Sequence, residues 1–340
     1  MRFTIRSLAA VLSFLSAAAL AQAPAGNLVI YSSTDAAVAE PLLQQFQSLY
    51  PAVKVQYNDM NTLELHNRAL SERAARAPSA DVLWSSAMDL QMKLAAEGYA
   101  AAYESPEARS LPQWAVWRNE AYGTTYEPVV IVYNRRLVGE DEAPRSHADF
   151  LRLLRDKADK YRGKVVSYDI EKSGIAYLLI TRDAKYNADF WELARTLGAS
   201  GVRFRTSTAT MLERISSGEH LLGYNVLGSY ARLRAAKDRN IGYVYPRDYT
   251  LVMSRIMLIN KEARNPQAAR LWLDYVLSRR GQAIANRTGL GSIRADLDTD
   301  AAALGTTARP IALGAELVAS LDAAKRSDFL KQWQAAIGQR

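Results

Sequence analysis

The side chains best suited to covalent or metal chemistry are scarce in this chain. It contains no cysteine and only three histidines, His66, His147 and His220, in 340 residues. Disulfides, thiol nucleophiles, zinc–thiolate sites and iron–sulfur clusters are excluded together. No two histidines fall at HExxH or other metal-ligand spacing, and no serine sits in a G-x-S-x-G elbow. Small hydroxyl and amide residues, by contrast, gather where apolar runs end. Ile30-Tyr31 leads into Ser32-Ser33-Thr34-Asp35, and Val55 to Asp59 into Asn61-Thr62, with Glu64 placed for a capping box. Val82-Leu83-Trp84 leads into Ser85-Ser86, with Asp89 three positions after Ser86. Val165 to Asp169 leads into Lys172-Ser173-Gly174, and Leu221 to Tyr224 into Asn225. Such residues are good N-caps wherever they occur. Five of them on one sheet edge would also line a crevice with hydroxyls and unpaired helix N–H groups, which is oxyanion-binding chemistry.

The elements that must position these turns can be read from the alternation of short β-branched runs with helical patterns, an α/β arrangement. The expected strands are Leu28–Tyr31, Val53–Tyr57, Asp81–Trp84, Val129–Tyr133, Val165–Tyr168, Val202–Phe204, Leu221–Tyr224, Gly242–Tyr245 and Leu251–Ile259. After Asn265 a helix is expected with Asn265 as cap, Pro266 in first position, Leu271, Trp272, Tyr275 and Val276 on one face, and Gly281 at its end. Arg279-Arg280 then reads as the cationic end of that helix. The tail from Ala301 reads as helices packing onto the body. With 49% hydrophobic and 23% charged residues, the composition is that of a soluble globular protein. The length favours two lobes over one core.

The first residues carry a targeting pattern: Arg2 and Arg6, an apolar stretch from Leu8 to Leu20, and Ala19-Leu20-Ala21 as a cleavage signal. At about 13 residues the stretch is shorter than the roughly 20 that a membrane anchor needs. Residues 1–21 are expected to be a cleaved signal peptide. The mature chain would begin at Gln22, and with no cysteine at the cleavage site it would be free in the periplasm. The formal charge is +8, but the basic residues are scattered, with short clusters at Arg135-Arg136, Arg279-Arg280 and Arg232 to Arg239. Export and this scatter argue against nucleic acid as a partner. The positive field fits an anionic small ligand better.

The run from Asn27 to Ala87 resembles the first lobe of the solute-binding proteins of ABC transporters. It is similar, more narrowly, to the type 2 periplasmic-binding group that includes ferric-iron, phosphonate and sugar-phosphate binders. Tyr122 to Asn134, Lys164 to Gly174, Gly218 to Ala231, Pro246 to Asn260 and Asn265 to Gly281 continue the likeness in order and spacing. The resemblance implies two α/β lobes, each a mainly parallel sheet flanked by helices, joined by two hinge crossings and closing on a ligand. The first lobe would hold residues 22–136 and 250–340, the second 137–249. It further implies a monomer that delivers a solute to an inner-membrane permease, or presents it to a membrane histidine kinase, with no cofactor and no catalysis. Thiamine-degrading members of the superfamily use a cysteine nucleophile, which this chain lacks.

Ferric binders of the group hold iron with an adjacent tyrosine pair after an asparagine and with an early His or Glu. Here Tyr224-Asn225 is followed by Val226-Leu227-Gly228-Ser229-Tyr230, and the early position falls within Ser33-Thr34-Asp35. Hard Fe(III) needs several anionic oxygen donors, which serine and glycine do not supply, so iron remains the alternative, with Tyr224, Tyr230 and Tyr249 as residues that could converge on it. The favoured ligand is a phosphorylated or phosphonate organic anion, held among Ser33, Thr34, Ser173 and Gly174 with Lys172 adding charge. Asn61, Thr62, Ser85, Ser86 and Asn225 complete the expected polar lining. Asp35, Glu127 and Asp248 are candidate acceptors for sugar hydroxyls or an amine. Tyr126 is a candidate for stacking on an apolar ligand face, and Trp84 a core residue. Arg255 is expected either at the ligand or paired with Asp248.

Overall fold

The computed structural model describes residues 25–297 and 303–338, so the expected signal segment lies outside the described residues. In chain order the strands are β1 (Gly26–Ser32), β2 (Val53–Asp59), β3 (Val82–Ser85), β4 (Val116–Trp117), β5 (Ala121–Gly123), β6 (Glu127–Asn134) and β7 (Val165–Tyr168). They continue with β8 (Arg203–Arg205), β9 (Leu222–Leu227), β10 (Ile241–Val244), β11 (Thr250–Met253), β12 (Ile256–Ile259) and β13 (Ala308–Pro310). The helices are α1 (Ala36–Leu49), α2 (Thr62–Ala74), α3 (Met88–Ala96), α4 (His147–Asp156), α5 (Ala158–Tyr161) and α6 (Ala176–Tyr186). After them come α7 (Phe190–Ala199), α8 (Thr208–Ser217), α9 (Gly228–Ala235), α10 (Pro266–Leu277), α11 (Arg279–Arg287), α12 (Ala315–Ala319) and α13 (Ala323–Ile337).

Two sheets organise two lobes. The first runs β2-β1-β3-β12-β5-β4, and the second runs β13-β11-β6-β9-β7-β8 with β10 paired to β6. Register explains why the polar turns converge. In the parallel pair of β1 and β2, Ser32 lies level with Asp59, and in that of β1 and β3, Ser32 lies level with Trp84. The turns that follow all open on one edge. In the second sheet Tyr168 lies level with Arg205, which brings the β7–α6 and β8–α8 turns together.

Most strands of each sheet run the same way, as expected, but each sheet also holds reversed strands, β12 and the short β4 in the first and β6 in the second. β12 runs antiparallel to β3 and β5, and β6 runs antiparallel to β9, β10 and β11. For β12 and β6 the cause is the crossings. A segment arriving from the other lobe enters at the cleft edge, where the parallel strands end, and so runs the opposite way. Hence the expected strand Leu251–Ile259 is two: β11 leaves the second sheet, Ser254-Arg255 crosses, and β12 enters the first. β6 is buried along its whole length, as a strand covered on both faces must be.

Three further expectations meet a different structure. Asn265 does cap α10, its Oδ1 accepting the Ala268 N–H at 3.2 Å, and Trp272, Leu273, Tyr275 and Val276 are buried. The helix ends at Leu277, however, and Gly281 lies in the first turn of α11, where Ser278 Oγ accepts its N–H at 3.1 Å. A Cβ there would stand 2.1 Å from the Tyr275 carbonyl oxygen, so the glycine permits the tight helix–helix junction. Arg279 and Arg280 consequently begin a helix, and Arg279 is held instead by Asp296 at 2.9 Å. The tail does not stay with the first lobe: β13 pairs in parallel with β11, and α13 packs on α7, while α12 lies against α3. Phe329 and Trp333 of α13 meet Phe190 at 6.3 and 6.2 Å between ring centroids, an aromatic cluster that draws the tail to the second lobe. At that crossing a Cβ on Gly198 would lie 2.3 Å from the Ile337 carbonyl oxygen. No helix among the described residues is long and apolar enough to cross a membrane.

Candidate ligand-binding cleft

The turns enclose a cavity of about 350 Å³ between the lobes, within the range of small-molecule sites. Its first wall comes from the β1–α1 turn (Ser33, Asp35), the β2–α2 turn (Asp59, Met60, Asn61, Thr62) and Ser86. The facing wall comes from the β7–α6 turn (Tyr168, Lys172, Ser173, Ile175), the β8–α8 turn (Thr206 to Ala209) and the start of α9 (Leu227, Tyr230). Arg255, on the second crossing, forms part of the floor.

Eight of the residues singled out in the sequence therefore share this cavity: Ser33, Asp35, Asn61, Thr62, Ser86, Lys172, Ser173 and Arg255. Gly174 stands at its mouth, its N–H donating to Thr62 Oγ1 at 3.0 Å. The others face elsewhere. Thr34 is buried beneath the turn, and Ser85 is spent on the Ala87 N–H at 3.2 Å. Tyr126 packs on Trp114 with 6.4 Å between ring centroids. Asn225 lies inside β9 at a φ of 59° and donates to Asp183 at 2.6 Å. Asp248 accepts from the His147 backbone and meets its Nδ1, both at 2.9 Å, so Arg255 does not pair with it. Its contacts with His147 outweigh the cost of burial and hold the Asp248 carboxyl below its usual range. Arg255 pairs instead with Glu127, at 2.9 Å from Nε, and the two are 1% and 0% exposed. Burial alone would lower the guanidinium's pKa, but the Glu127 carboxylate more than offsets it, and the charge persists. Trp84 is a core residue whose indole donates to Thr124 at 2.8 Å.

An account of N–H groups distinguishes the turns. In the β1–α1 turn every N–H is already taken: Ser33 by the Trp84 carbonyl, Thr34 by Ser32 Oγ, Asp35 by the Tyr230 hydroxyl and Ala36 by Asp59. In the β3–α3 turn Ser86 donates to Ser33 Oγ and Met88 to the Ser86 carbonyl. The expected box of Ser86 with Asp89 does not form, because Ser86 is drawn to Ser33. Asn61 does cap α2, accepting from Glu64 at 2.8 Å. Among the described residues, the first-turn N–H groups of Thr62, Thr208 and Ala209, all at the cleft wall, donate to no protein acceptor. Among the described residues no carboxylate lies within ion-pair distance of Lys172, and Ser173 beside it is only 5% exposed.

The sequence reading overlooked the Thr206-Ser207-Thr208 turn and gave Tyr168 no role. The former carries the same signal as the five turns it counted, small hydroxyl residues before the apolar helical positions Met211, Leu212 and Ile215. Ser207 caps α8 by accepting from Thr210 at 3.3 Å. The three tyrosines considered for iron do not converge. Tyr224 and Tyr249 donate to Asp183 at 2.7 and 2.9 Å, and burial raises the pKa of each phenol, keeping it protonated. Only Tyr230 of the three reaches the cleft, and burial raises its pKa too. Among the described residues, no group of three or more His, Asp or Glu is disposed to hold a metal ion.

Two α/β lobes, two buried crossings and a polar cleft between them are the architecture of a protein that binds a solute. The chain belongs to the bacterial extracellular solute-binding proteins, whose family model matches residues 77–305. It is similar to the substrate binding protein of an ABC transporter from Agrobacterium tumefaciens, at 37% identity over 93% of this chain and 96% of that one, with a TM-score of 0.88. Its place is thus among the solute-binding components of ABC transporters. The fold alone is shared with the periplasmic binding protein AfuA from Actinobacillus pleuropneumoniae, solved with exogenous fructose-6-phosphate (21% identity, 93% and 99% coverage, TM-score 0.74). It is also shared with iron-bound HitA from Pseudomonas aeruginosa (20% identity, 91% and 99% coverage, TM-score 0.69). No curated protein matches the sequence.

Proposed function

We propose that the protein, exported to the periplasm by the signal segment at residues 1–21, captures a small organic anion bearing a phosphate or phosphonate group and passes it to its permease. One observation carries this reading: Lys172, which no described carboxylate pairs, and the buried Ser173 line the same cavity as the open first turn of α8, so a charge, a hydroxyl and N–H donors border one cleft. A tetrahedral oxyanion satisfies such donors better than a neutral group does. Asp35 and Asn61 on the facing wall would accept hydroxyl or amine protons from the rest of the ligand. The role is capture and release. Contacts from both walls are complete only when the lobes are together, so ligand shifts the population toward closure.

The reading is tested by thermal shift on ligand-stripped protein with fructose 6-phosphate, 2-aminoethylphosphonate, inorganic phosphate, dicarboxylates and ferric citrate. A ligand at 100 times its dissociation constant adds about 2.7 kcal/mol, a rise of several degrees. Response to a phosphorylated or phosphonate compound supports it, and response to ferric citrate alone overturns it. Ser173→Asp, which sets a carboxylate among the anion donors, is expected to weaken the responding compound at least 100-fold by calorimetry. Undiminished affinity would remove Ser173 from the site.

A further inference from the structure

The two crossings meet beneath the cleft, where one carboxylate gathers four hydrogen bonds. Glu127, at the start of β6, accepts from Arg255 Nε at 2.9 Å and Nη2 at 3.3 Å, from Thr125 Oγ1 at 2.8 Å, and from Ser229 Oγ. Arg255 Nη1 goes on to donate to the Ser33 carbonyl at 3.0 Å. Glu127 lies on the first crossing and Arg255 on the second. Ser229 opens α9 in the second lobe, and Ser33 belongs to the cleft wall of the first. The chain of contacts therefore runs from one lobe to the other through both crossings, and Glu127, Arg255 and Ser229 are all buried.

Tyr230, adjacent to Ser229, completes the circuit. Its hydroxyl accepts the Asp35 N–H across the cleft at 3.3 Å, and its ring lies 5.7 Å from the Arg255 guanidinium carbon. At the opposite lip Gly174 reaches Thr62. The structure is thus a closed arrangement, held by contacts of the protein with itself.

We propose that Glu127 is a positioning residue for solute capture: it holds Ser229 against the crossings so that Tyr230 meets the β1–α1 turn, and keeps the closed arrangement populated before ligand arrives. Glu127 does not line the cavity, so it acts through Ser229 and Arg255. Hydrogen bonds to a buried charge are strong and mutually reinforcing, which makes this a strong link between the lobes. The proposal rests on the cleft being a closing, solute-binding one and is independent of the ligand's charge.

Because the chain has no cysteine, paired labels can be placed cleanly. Gln44→Cys on α1 and Arg195→Cys on α7 are exposed positions in different lobes. Spin-label distances are measured on ligand-free protein. The otherwise unaltered protein is expected to show a short-distance population, and Ser229→Ala and Tyr230→Phe each to lower its ratio to the long-distance population about tenfold. Melting temperatures are expected to stay within a few degrees, which separates positioning from a loss of fold. Absence of the short-distance population, or its persistence unchanged in both variants, overturns the proposal. No ligand enters the measurement, so its failure is distinguishable from failure of the anion reading.

Discussion

Arg255→Met is expected to lower the unfolding free energy by about 3–5 kcal/mol, the cost of stranding one member of a buried ion pair. The carboxylate left behind, Glu127, is 0% exposed, and its remaining donors are the hydroxyls of Thr125 and Ser229. Two hydroxyl hydrogen bonds do not replace a bidentate guanidinium. The Ser33 carbonyl also loses its donor. Against a total stability of about 5–15 kcal/mol for a domain, the loss is visible as a large fall in the urea midpoint. Arg255→Lys keeps the charge but not the fork, so it should fall between the two. Replacing Arg255 by Met and Glu127 by Leu together removes the stranded charge and should recover most of the deficit. A single-variant loss below about 1 kcal/mol would mean that water reaches the pair, against its observed burial.

That pair also shows where sequence reading stops. Apolar runs and the small polar residues after them are local signals, and they located nine strand regions and most of the cleft turns. Partners are not local. Arg255 is 128 positions from Glu127, and whether it meets Glu127 or Asp248 depends on how both crossings enter their sheets. Glu127 and Asn225 look alike in sequence, each a polar residue in a buried run. One became the knot beneath the cleft, and the other turned inward to Asp183. Parallel strands were expected because each apolar run is followed by a helix. Apart from the short hairpin strand β4, the exceptions are the segments that change lobes, and composition does not mark those. The tail was misplaced for a similar reason. Phe329 and Trp333 advertise a buried face, but only the aromatic surface of α7 determines which lobe buries it.

Asp89→Asn is expected to raise stability at pH 7 by about 1–3 kcal/mol and to remove one component of its pH dependence. Asp89 lies in the first turn of α3, is 1% exposed, and accepts the Leu90 N–H at 2.9 Å. Burial pushes its pKa up from 3.8 to about 6, although that N–H and the charges of Arg326 and Arg182 pull it down. Between about pH 4 and pH 6 the folded protein therefore holds a proton that the unfolded chain has released. With more protons on the folded side, stability falls as pH rises through that window and is level above it. His66 acts in the opposite sense. Burial lowers its pKa from 6.5 to about 4, so the unfolded chain binds the extra proton and stability from this group rises with pH. The two slopes oppose each other in the natural protein, and the informative quantity is the difference between it and the variant. Asparagine retains an acceptor for Leu90 and carries no charge, so the variant's advantage should grow from near zero at pH 4 to its full value above pH 6. Urea denaturation at pH 4, 5, 6 and 7 measures it. Parallel profiles for the two proteins would mean that folding does not raise the Asp89 pKa, the Leu90 N–H and the two arginines compensating its burial in full.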